Sequence, residues 1–292
     1  MEYPKISIVT PNYNKAKYLE QTILSVLSQN YPNLEYVIID GGSTDGSVDI
    51  IKKYENQLAY WVSEPDNGMY YAIKKGFEHT TGDIMAWINS DDMYHSGALS
   101  IVADIFREHE EVKWLTGTNT HYDEQGRTVR TWQAKYFSHL SFLMHDYKYV
   151  QQESTFWRRS LYEKAGGVST DYRLAGDFDL WMRFSRYEKQ YMVNALIGGF
   201  RVCEGQLSES IQEYSREAEL IIEREPISEE EHQQIQKRAT RQRVLSFLKK
   251  FKILNWQSIE RRYMQSCEDE YRKHRINYDA NSKSFKLCNA GN

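Results

Sequence analysis

The sequence predicts an α/β protein with a mostly parallel central sheet flanked by helices, followed by a helical C-terminal extension. Three observations predict this fold class. Short β-rich runs alternate with helical patterns through the first part of the chain. The length of 292 residues exceeds a typical domain of about 150 residues. Beyond about residue 205, the chain also contains an acidic segment followed by a basic one, whereas no such segments occur before it. We therefore predict two domains, residues 1–205 and residues 206–292.

The periodicity of apolar residues justifies the first elements. Residues 6–9 form a β-rich run that ends at a proline-containing turn. Over residues 16–29, apolar side chains recur at i, i+4, i+7 and i+8, which is one face of a helix. Residues 36–39 are consecutively apolar, as in a strand that is buried on both faces. A second helix over residues 45–56 and a third strand over residues 60–62 follow.

The same alternation continues beyond the third strand. A helix over residues 69–79 is stopped by Gly82, and residues 84–88 form a fourth strand. Beyond residue 95 the predicted elements are a helix over 98–106, a strand over 114–117, an antiparallel strand near 128–133, and helices over 159–165 and 177–187. A parallel sheet of this kind binds its ligands at the carboxyl ends of the strands.

Polar, turn-forming clusters follow all four of the first strands. They lie at residues 10–14, 40–43, 64–68 and 90–92. The clusters would bring the carboxylates of Asp40, Asp66, Asp91 and Asp92 together at one edge, which is costly without a cation or a ligand rich in donors. The alternative is that Asp, Asn and Gly only form turns and caps. Four clusters at successive strand ends favour a binding site.

Three of these patterns suit specific chemistry. The adjacent carboxylates Asp91 and Asp92 suit Mg²⁺ or Mn²⁺, although they could instead cap the next helix. Asp40 could accept a hydrogen bond from a nucleobase or ribose, and Gly41 would let a ligand approach the backbone. Asp177 precedes a helical pattern, so it is either a helix cap or a general base that takes a proton from a hydroxyl.

Composition excludes several classes of protein. The formal net charge is −4, so no overall basic charge points to nucleic acid. No apolar run is long enough for a transmembrane helix, and the first residues lack the features of a signal peptide. The three cysteines, Cys203, Cys267 and Cys288, are odd in number and lack metal-binding spacing. We expect a protein of the reducing cytoplasm.

Taken together, the motifs resemble the family 2 glycosyltransferases, which are inverting enzymes of the GT-A fold. The resemblance covers about residues 4–205. It rests on residues 7–14 (SIVTPNYN), 39–47 (IDGGSTDGS), 63–68 (SEPDNG), 88–92 (INSDD), 152–159 (QESTFWRR) and 175–183 (AGDFDLWMR). These pieces resemble the bacterial branch that builds surface polysaccharides and glycolipids.

The resemblance implies a role for each matching residue. Nucleotide and donor contacts would come from Thr10, Pro11, Asn12, Asn14, Asp40, Gly41, Asp66, Lys74 and Asp91. Asp92 would be the direct ligand of a divalent cation, and Asp177 would be the catalytic base. Contacts in the acceptor and diphosphate region would come from Gln152, Trp181, Arg183 and Arg201.

Two positions depart from the branch's pattern. Tyr71 and Lys74 stand where the branch often has Asp and Asn, and Lys74 could either reach a phosphate or point to solvent. Cys203 stands where the branch often has a His that contacts the metal or the diphosphate. Arg201 could take over that role.

We therefore predict an inverting, metal-assisted transfer of a sugar from a nucleotide-sugar to a hydroxyl of a saccharide or lipid-linked saccharide. The resemblance favours UDP as the nucleotide, because UDP-sugars are common donors in this family. The aromatic stretch 136–149 could form a lid that excludes water. One alternative is a nucleotidyltransferase, but the loop after the first strand lacks the Gly- and Lys/Arg-rich pattern of that class. Another is a sugar-nucleotide-binding or scaffold protein without turnover.

The C-terminal extension carries two segments of opposite charge. Residues 204–231 hold ten acidic and two basic side chains, whereas residues 237–262 hold nine basic and one acidic. In the basic segment, aromatic and aliphatic residues are interleaved, which suits an anionic membrane surface. The alternatives are a helix packed on the catalytic domain, a helical hairpin of the two segments, or self-association. Of these, packing on the catalytic domain is the favoured interpretation, and peripheral contact with the inner face of the cell membrane is the hypothesis that the basic segment adds.

Overall fold

The structure, a computed structural model, describes residues 3–145, 150–206, 209–251 and 271–288. The helices are α1 (Ala16–Leu27), α2 (Ser47–Tyr54), α3 (Met69–Glu78), α4 (Ala98–Glu108), α5 (His139–Leu143), α6 (Arg159–Lys164), α7 (Gly176–Tyr187), α8 (Ile211–Arg224) and α9 (Glu229–Lys250). The strands are β1 (Ile6–Asn12), β2 (Leu34–Asp40), β3 (Tyr60–Ser63), β4 (Ile84–Trp87), β5 (Met93–Tyr94), β6 (Trp114–Tyr122), β7 (Thr128–Trp132), β8 (Thr155–Arg158), β9 (Gln190–Leu196), β10 (Gly198–Arg201), β11 (Arg275–Asp279) and β12 (Ser284–Leu287). Short 3-10 turns lie at Glu55–Gln57 and Gln152–Ser154.

The central sheet has the strand order β12-β11-β9-β6-β8-β4-β1-β2-β3. Strands β4, β1, β2 and β3 run parallel to one another, and so do β6, β9 and β11. Strand β8 is antiparallel to both β4 and β6, and β7 forms the predicted antiparallel pair with β6. The prediction of a mostly parallel sheet flanked by helices is confirmed, while β8 and β10 are strands that periodicity did not predict.

The register of the parallel strands brings their polar ends together. Asn12 lies opposite Asp40, and Asp40 lies opposite Ser63 on the next strand. Strand β4 ends at Trp87, which is paired to β1 through Val9, so the segment carrying Asp91 and Asp92 follows at the same edge. The structure thus confirms that the polar clusters gather at the carboxyl edge of the sheet.

Helix α3 lies unusually close to strand β1. A Cβ atom on Gly76 would come within 2.4 Å of Cγ1 of Val9, which real side chains do not tolerate. Glycine is therefore required where the helix crosses the strand. This close crossing brings the helix that carries Tyr70 over the strands that form the site.

Tryptophan side chains fill the centre of the core. Trp181 stacks on Trp87 with ring centroids 5.8 Å apart and on Trp114 at 5.7 Å. Trp157 meets Trp181 edge-on at 5.6 Å. Trp181 is only 1% exposed, which argues against a direct contact with an acceptor; that contact stays a prediction. Its burial stabilises α7 against the sheet, as a buried indole does through its large apolar area.

The segment after residue 205 is not helical throughout. Helices α8 and α9 agree with the prediction, but residues 275–287 form a hairpin in which β11 pairs with β9 and extends the central sheet. The expectation of a helical extension is wrong there because strand pairing with a distant edge decides the structure. The predicted domain boundary at residue 205 stays a prediction.

The two C-terminal helices differ in how they pack. Helix α8 buries Ala218, Ile221 and Ile222 in the main core, whereas the buried side chain of α9 is Leu245. Within the described ranges, no helix is both long and apolar enough to cross a membrane. Residues 252–262 of the basic segment and residues 146–149 of the predicted lid lie outside the described residues.

Candidate active site

Asp40, at the end of β2, organises the loop that follows it. Its carboxylate accepts hydrogen bonds from the side chains of Asn12, Ser43 and Ser63, each at 2.6 Å, and from the backbone N–H groups of Gly42 and Ser43. Burial acts to raise the pKa of Asp40, but these hydrogen bonds outweigh it and lower the pKa. A contact between Asp40 and a nucleotide, which stays a prediction, would have to replace one of these bonds.

The other residues predicted at the first strand end divide into buried and exposed positions. Thr10 and Pro11 are buried, and the Thr10 hydroxyl bonds to that of Tyr36 at 3.0 Å. Asn14 is exposed, adopts a positive φ of 51°, and its side-chain oxygen accepts a bond from the backbone N–H of Thr44 at 2.9 Å. Asn14 is therefore the residue of this group that faces solvent at the edge of the sheet.

Asp66 and Gly41 face each other across this edge. A Cβ atom on Gly41 would approach Oδ2 of Asp66 to 3.0 Å, so a larger residue would crowd the carboxylate. Oδ1 of Asp66 accepts a hydrogen bond from the backbone of Gly68 at 2.8 Å, and the residue remains exposed. The pair therefore offers an accessible carboxylate beside a glycine backbone, which is the arrangement predicted for a base or ribose contact.

Asp91 and Asp92 have different surroundings. Asp92 is 0% exposed; its Oδ1 accepts from the backbone N–H of Arg201 at 2.8 Å and its Oδ2 from Asn89 at 3.3 Å. Asp91 is 8% exposed, and its Oδ2 lies 3.0 Å from Nζ of Lys15. Neither residue caps α4, whose N-cap is Gly97. Asp91 is thus the member of the pair that can reach a ligand, and Asp92 lies behind it.

A cleft of about 510 Å³ opens beside Lys15, the residue whose Nζ pairs with Asp91, while Asp91 and Asp92 are not among its lining residues. Its lining includes Asn14 and Lys15 from the loop after β1, together with Tyr13, Asp45 and Glu204. Volumes of this order are typical of sites that bind small organic ligands. The cleft therefore borders both the exposed predicted donor residue and the lysine that pairs with Asp91.

Glu153 is a buried carboxylate that the sequence reasoning missed. Burial raises its pKa to about 7, and the charges of Asp177 and Asp91 add to the effect. Burial also raises the pKa of Asp92, with further contributions from Glu153 and Asp91. Among the described residues, Oε1 of Glu153 has no hydrogen-bond partner. An acidic residue inside the otherwise buried stretch 151–156 was the signal that could have identified it.

Asp177 lies in the first turn of α7, whose N-cap is Ala175, so the cap interpretation of Asp177 is wrong. Burial raises the pKa of Asp177 to about 6. The hydroxyls of Tyr70 and Tyr214 lie 3.3 Å and 3.2 Å from the same oxygen, Oδ1. Neither of these two contacts involves Oδ2. Asp177 thus has a raised pKa and one carboxylate oxygen held by phenol groups.

Two predicted side chains, Arg183 and Arg201, have structural partners in the protein. Arg183 forms an ion pair with Asp179 at 2.5 Å and donates to backbone carbonyls of the α6–α7 loop. Arg201 is 0% exposed and donates to the carbonyls of Asp91 and Glu124, at 2.6 Å and 2.8 Å. Each guanidinium is used to hold a loop, which argues against the predicted diphosphate contacts of Arg183 and Arg201. Those contacts stay predictions.

Gln152 and Lys74 occupy opposite environments. Gln152 is buried and donates to the carbonyl of Trp87, while its Oε1 has no partner among the described residues. Lys74 is exposed on α3. Contacts of either residue with a ligand stay predictions.

A divalent cation fits this site in one specific way. Among the described residues, no three His, Cys, Asp or Glu side chains are arranged to hold a metal ion by themselves. Mg²⁺ and Mn²⁺ are commonly held by one or two carboxylates, with phosphate and water completing the shell. Asp91, which at 8% is the more exposed of the two adjacent carboxyl groups, matches that mode. The predicted assignment of Asp92 as the direct ligand conflicts with its complete burial.

Comparisons with known sequences agree with these features. The family described as Glycosyl transferase family 2 matches residues 7–166. An uncharacterized glycosyltransferase of Mycobacterium tuberculosis is 32% identical over 188 residues, covering 62% of this chain and 68% of the relative. TuaG of Bacillus subtilis, named for teichuronic acid biosynthesis, is 33% identical over 117 residues, covering 39% of this chain and 46% of TuaG.

Solved structures show the same fold. S. aureus TarS 1–349 in complex with UDP-GlcNAc aligns with a TM-score of 0.63 at 19% identity, covering 79% of this chain and 70% of that chain. The mannosyltransferase PcManGT from Pyrobaculum calidifontis, in complex with GDP-Man and Mn²⁺, aligns with a TM-score of 0.61 at 16% identity, covering 80% and 68%. The predicted GT-A fold is confirmed.

Proposed function

This chain belongs to glycosyl transferase family 2, and from that premise we propose that it is an inverting enzyme that moves a sugar from a UDP-sugar to an acceptor hydroxyl during polysaccharide or glycolipid synthesis. Membership of the family makes the protein a glycosyltransferase. The observation that carries the finer proposal is Asp177. It is a carboxylate whose pKa is raised by burial to about 6, in the first turn of α7 and within the field of the Glu153 carboxylate.

In the proposed reaction, Oδ2 of Asp177 accepts the proton of the acceptor hydroxyl. The acceptor oxygen forms a bond to the anomeric carbon from the side opposite the nucleotide. The bond from that carbon to the diphosphate oxygen breaks, and its electron pair leaves with the nucleoside diphosphate. A positioned base of this kind contributes about 10²–10⁴ in rate.

The exposed residues at the carboxyl edge would hold the donor. Asp66 and the backbone of Gly41 would contact the base or ribose, and Asn14 would border the nucleotide. A divalent cation held by Asp91 would offset the charge of the departing diphosphate. Structural neighbours solved with UDP-GlcNAc and with GDP-Man and Mn²⁺ support a nucleotide-sugar donor and a cation.

We further propose that helix α9 contacts an anionic membrane surface, where a lipid-linked acceptor would be found. Val244, Phe247 and Phe251 are each more than half exposed on or next to a helix that also carries Lys249 and Lys250. Exposed aromatic residues interleaved with basic ones favour binding to anionic lipids. The location would be cytoplasmic, as the few cysteines suggest.

Binding to vesicles distinguishes membrane contact through α9 from self-association through the same helix. The protein should co-sediment with vesicles that contain phosphatidylglycerol but not with pure phosphatidylcholine vesicles, and Phe247→Ser should weaken the binding. Equal binding to both vesicle types, or concentration-dependent dimerisation that Phe247→Ser abolishes, would favour the alternatives.

The proposed function is tested by the release of nucleoside diphosphate from UDP-, GDP- and dTDP-sugars, measured with and without Mn²⁺. We expect one UDP-sugar to be hydrolysed slowly, with the rate lost on removal of Mn²⁺ and in Asp91→Asn. The exposed Asp49→Asn is the matched control and should retain the wild-type rate. Binding of a donor without release in the presence of saccharide acceptors would instead support the binding-protein alternative.

A further inference from the structure

Helix α8 lies beyond residues 7–166, which the family model matches. It forms hydrogen bonds with the segment that leads to Asp177. The carboxylate of Glu217 accepts hydrogen bonds from three consecutive backbone N–H groups, those of Arg173 at 3.1 Å, Leu174 at 2.8 Å and Ala175 at 2.8 Å. These groups immediately precede α7, where N–H groups lack partners within the helix. One side chain from α8 therefore fixes the path of the chain into the first turn of α7.

Tyr214 lies three residues before Glu217, so both side chains project from the same face of α8. Its hydroxyl reaches Oδ1 of Asp177 at 3.2 Å. The Tyr70 hydroxyl is also near this oxygen, at 3.3 Å, but it has a closer acceptor in the carbonyl of Leu174 at 2.9 Å. A phenol has a single proton to donate. Tyr214 is therefore the better placed donor to the carboxylate.

Helix α8 is itself firmly held. Ala218 and Ile221 are buried in the main core. At its end, the Glu225 carboxylate pairs with Arg186 of α7 and with His139, which lies 3.0 Å away. These contacts in the middle and at the C-terminal end of the helix give it the rigidity needed to position a side chain on another element.

We propose that α8 is a positioning element for the catalytic base, in which Tyr214 orients the Asp177 carboxylate and Glu217 fixes the chain before it. The proposal rests on the proposed role of Asp177. Neither Tyr214 nor Glu217 contacts the reacting atoms. With Oδ1 held by the phenol, Oδ2 is the oxygen turned toward an acceptor hydroxyl. Part of the C-terminal extension would then belong to the active site.

Titration of Asp177 tests this without any substrate. The groups that face it are Tyr70 from α3, Tyr214 from α8 and the carboxylate of Glu153. The full chain is labelled with ¹³C at aspartate carboxyl carbons, and the signal lost in Asp177→Asn identifies the residue. We expect Tyr214→Phe to move its titration midpoint up by about one pH unit, since a hydrogen bond to the charged form is lost.

The control for this titration is Tyr278→Phe, which removes an exposed phenol from the β11–β12 hairpin and should leave the midpoint unchanged. Tyr214 is half-buried, so its replacement by Phe keeps the packing, and thermal melting verifies the fold. A folded Tyr214→Phe protein with the wild-type midpoint would overturn the proposal for Tyr214.

A second variant tests Glu217 by kinetics. Glu217→Ala should lower kcat at least tenfold and leave the donor KM within twofold, because the chain before Asp177 loses its anchor while the donor pocket is untouched. Glu213→Ala, exposed on the same helix, should behave like wild type. Wild-type kcat in Glu217→Ala would refute the positioning role. Full activity in Asp177→Asn would instead refute the proposed base and leave the titration result intact.

Discussion

The pKa of Asp177 makes a quantitative prediction for the pH dependence of kcat/KM, which reports groups of the free enzyme. Burial raises this pKa from 3.8 to about 6. The proposed base works only as the carboxylate, so kcat/KM falls as pH decreases through this pKa. With a pKa of 6, about nine tenths of the enzyme is active at pH 7 and about one tenth at pH 5. With an ordinary pKa of 3.8, more than about nine tenths would remain active at pH 5.

The assay is nucleoside diphosphate release from pH 4.5 to pH 8, at donor and acceptor concentrations well below their KM values. We expect the acidic limb of kcat/KM to have its midpoint near pH 6. Glu153, whose pKa is about 7, is a second group that could produce such a limb. Glu153→Gln should therefore retain the limb near pH 6. A wild-type kcat/KM that is flat down to pH 5, or a limb that disappears in Glu153→Gln, would refute the reasoning for Asp177.

The remaining predictions concern the ionic contacts of the structure. Glu225→Gln should lower the free energy of unfolding by about 2–3 kcal/mol in urea denaturation, because the buried carboxylate that pairs with Arg186 is lost; an unchanged midpoint would contradict the contact. Burial acts to lower the pKa of His139, but the hydrogen bonds that its ring donates to the carboxylates of Glu225 and Glu231 outweigh burial and raise the pKa. This contribution to stability is full below pH 6.5 and is lost as pH rises through the raised pKa. Lys15→Met should tighten the binding of Mn²⁺ alone about tenfold in paramagnetic resonance titrations, because the ammonium group that pairs with Asp91 is removed. Unchanged or weaker binding would show that Lys15 does not compete with the metal.

The first half of the fold was predictable because its signals are local. Apolar periodicity identified β1 to β4 and the helices between them, and turn-forming residues marked where each strand ends. The convergence of those ends followed from parallel pairing alone, and the register of Asn12 with Asp40 agrees with it. Strand β8 could not be found this way, since it pairs with strands far away in sequence. The β11–β12 hairpin is a local pair, but its place in the central sheet depends on the pairing of β11 with the distant β9.

The candidate site was only partly predictable for a related reason. A motif gives a residue's type and position but not what its side chain contacts. Trp181 and Arg201 match functional patterns, yet one packs in the core and the other holds loops by hydrogen bonds. Glu153 and Tyr214, in contrast, belong to the site only because distant segments of the chain are packed against Asp177.

The central claim is that Asp177 is the base of an inverting sugar transfer. The measurement that tests it most directly is nucleoside diphosphate release in the presence of acceptor by wild type, Asp177→Asn and the exposed control Asp171→Asn. We predict that Asp177→Asn lowers kcat by about 10²–10⁴ at unchanged donor affinity, while Asp171→Asn retains the wild-type kcat. A kcat for Asp177→Asn within a few-fold of wild type would contradict the account.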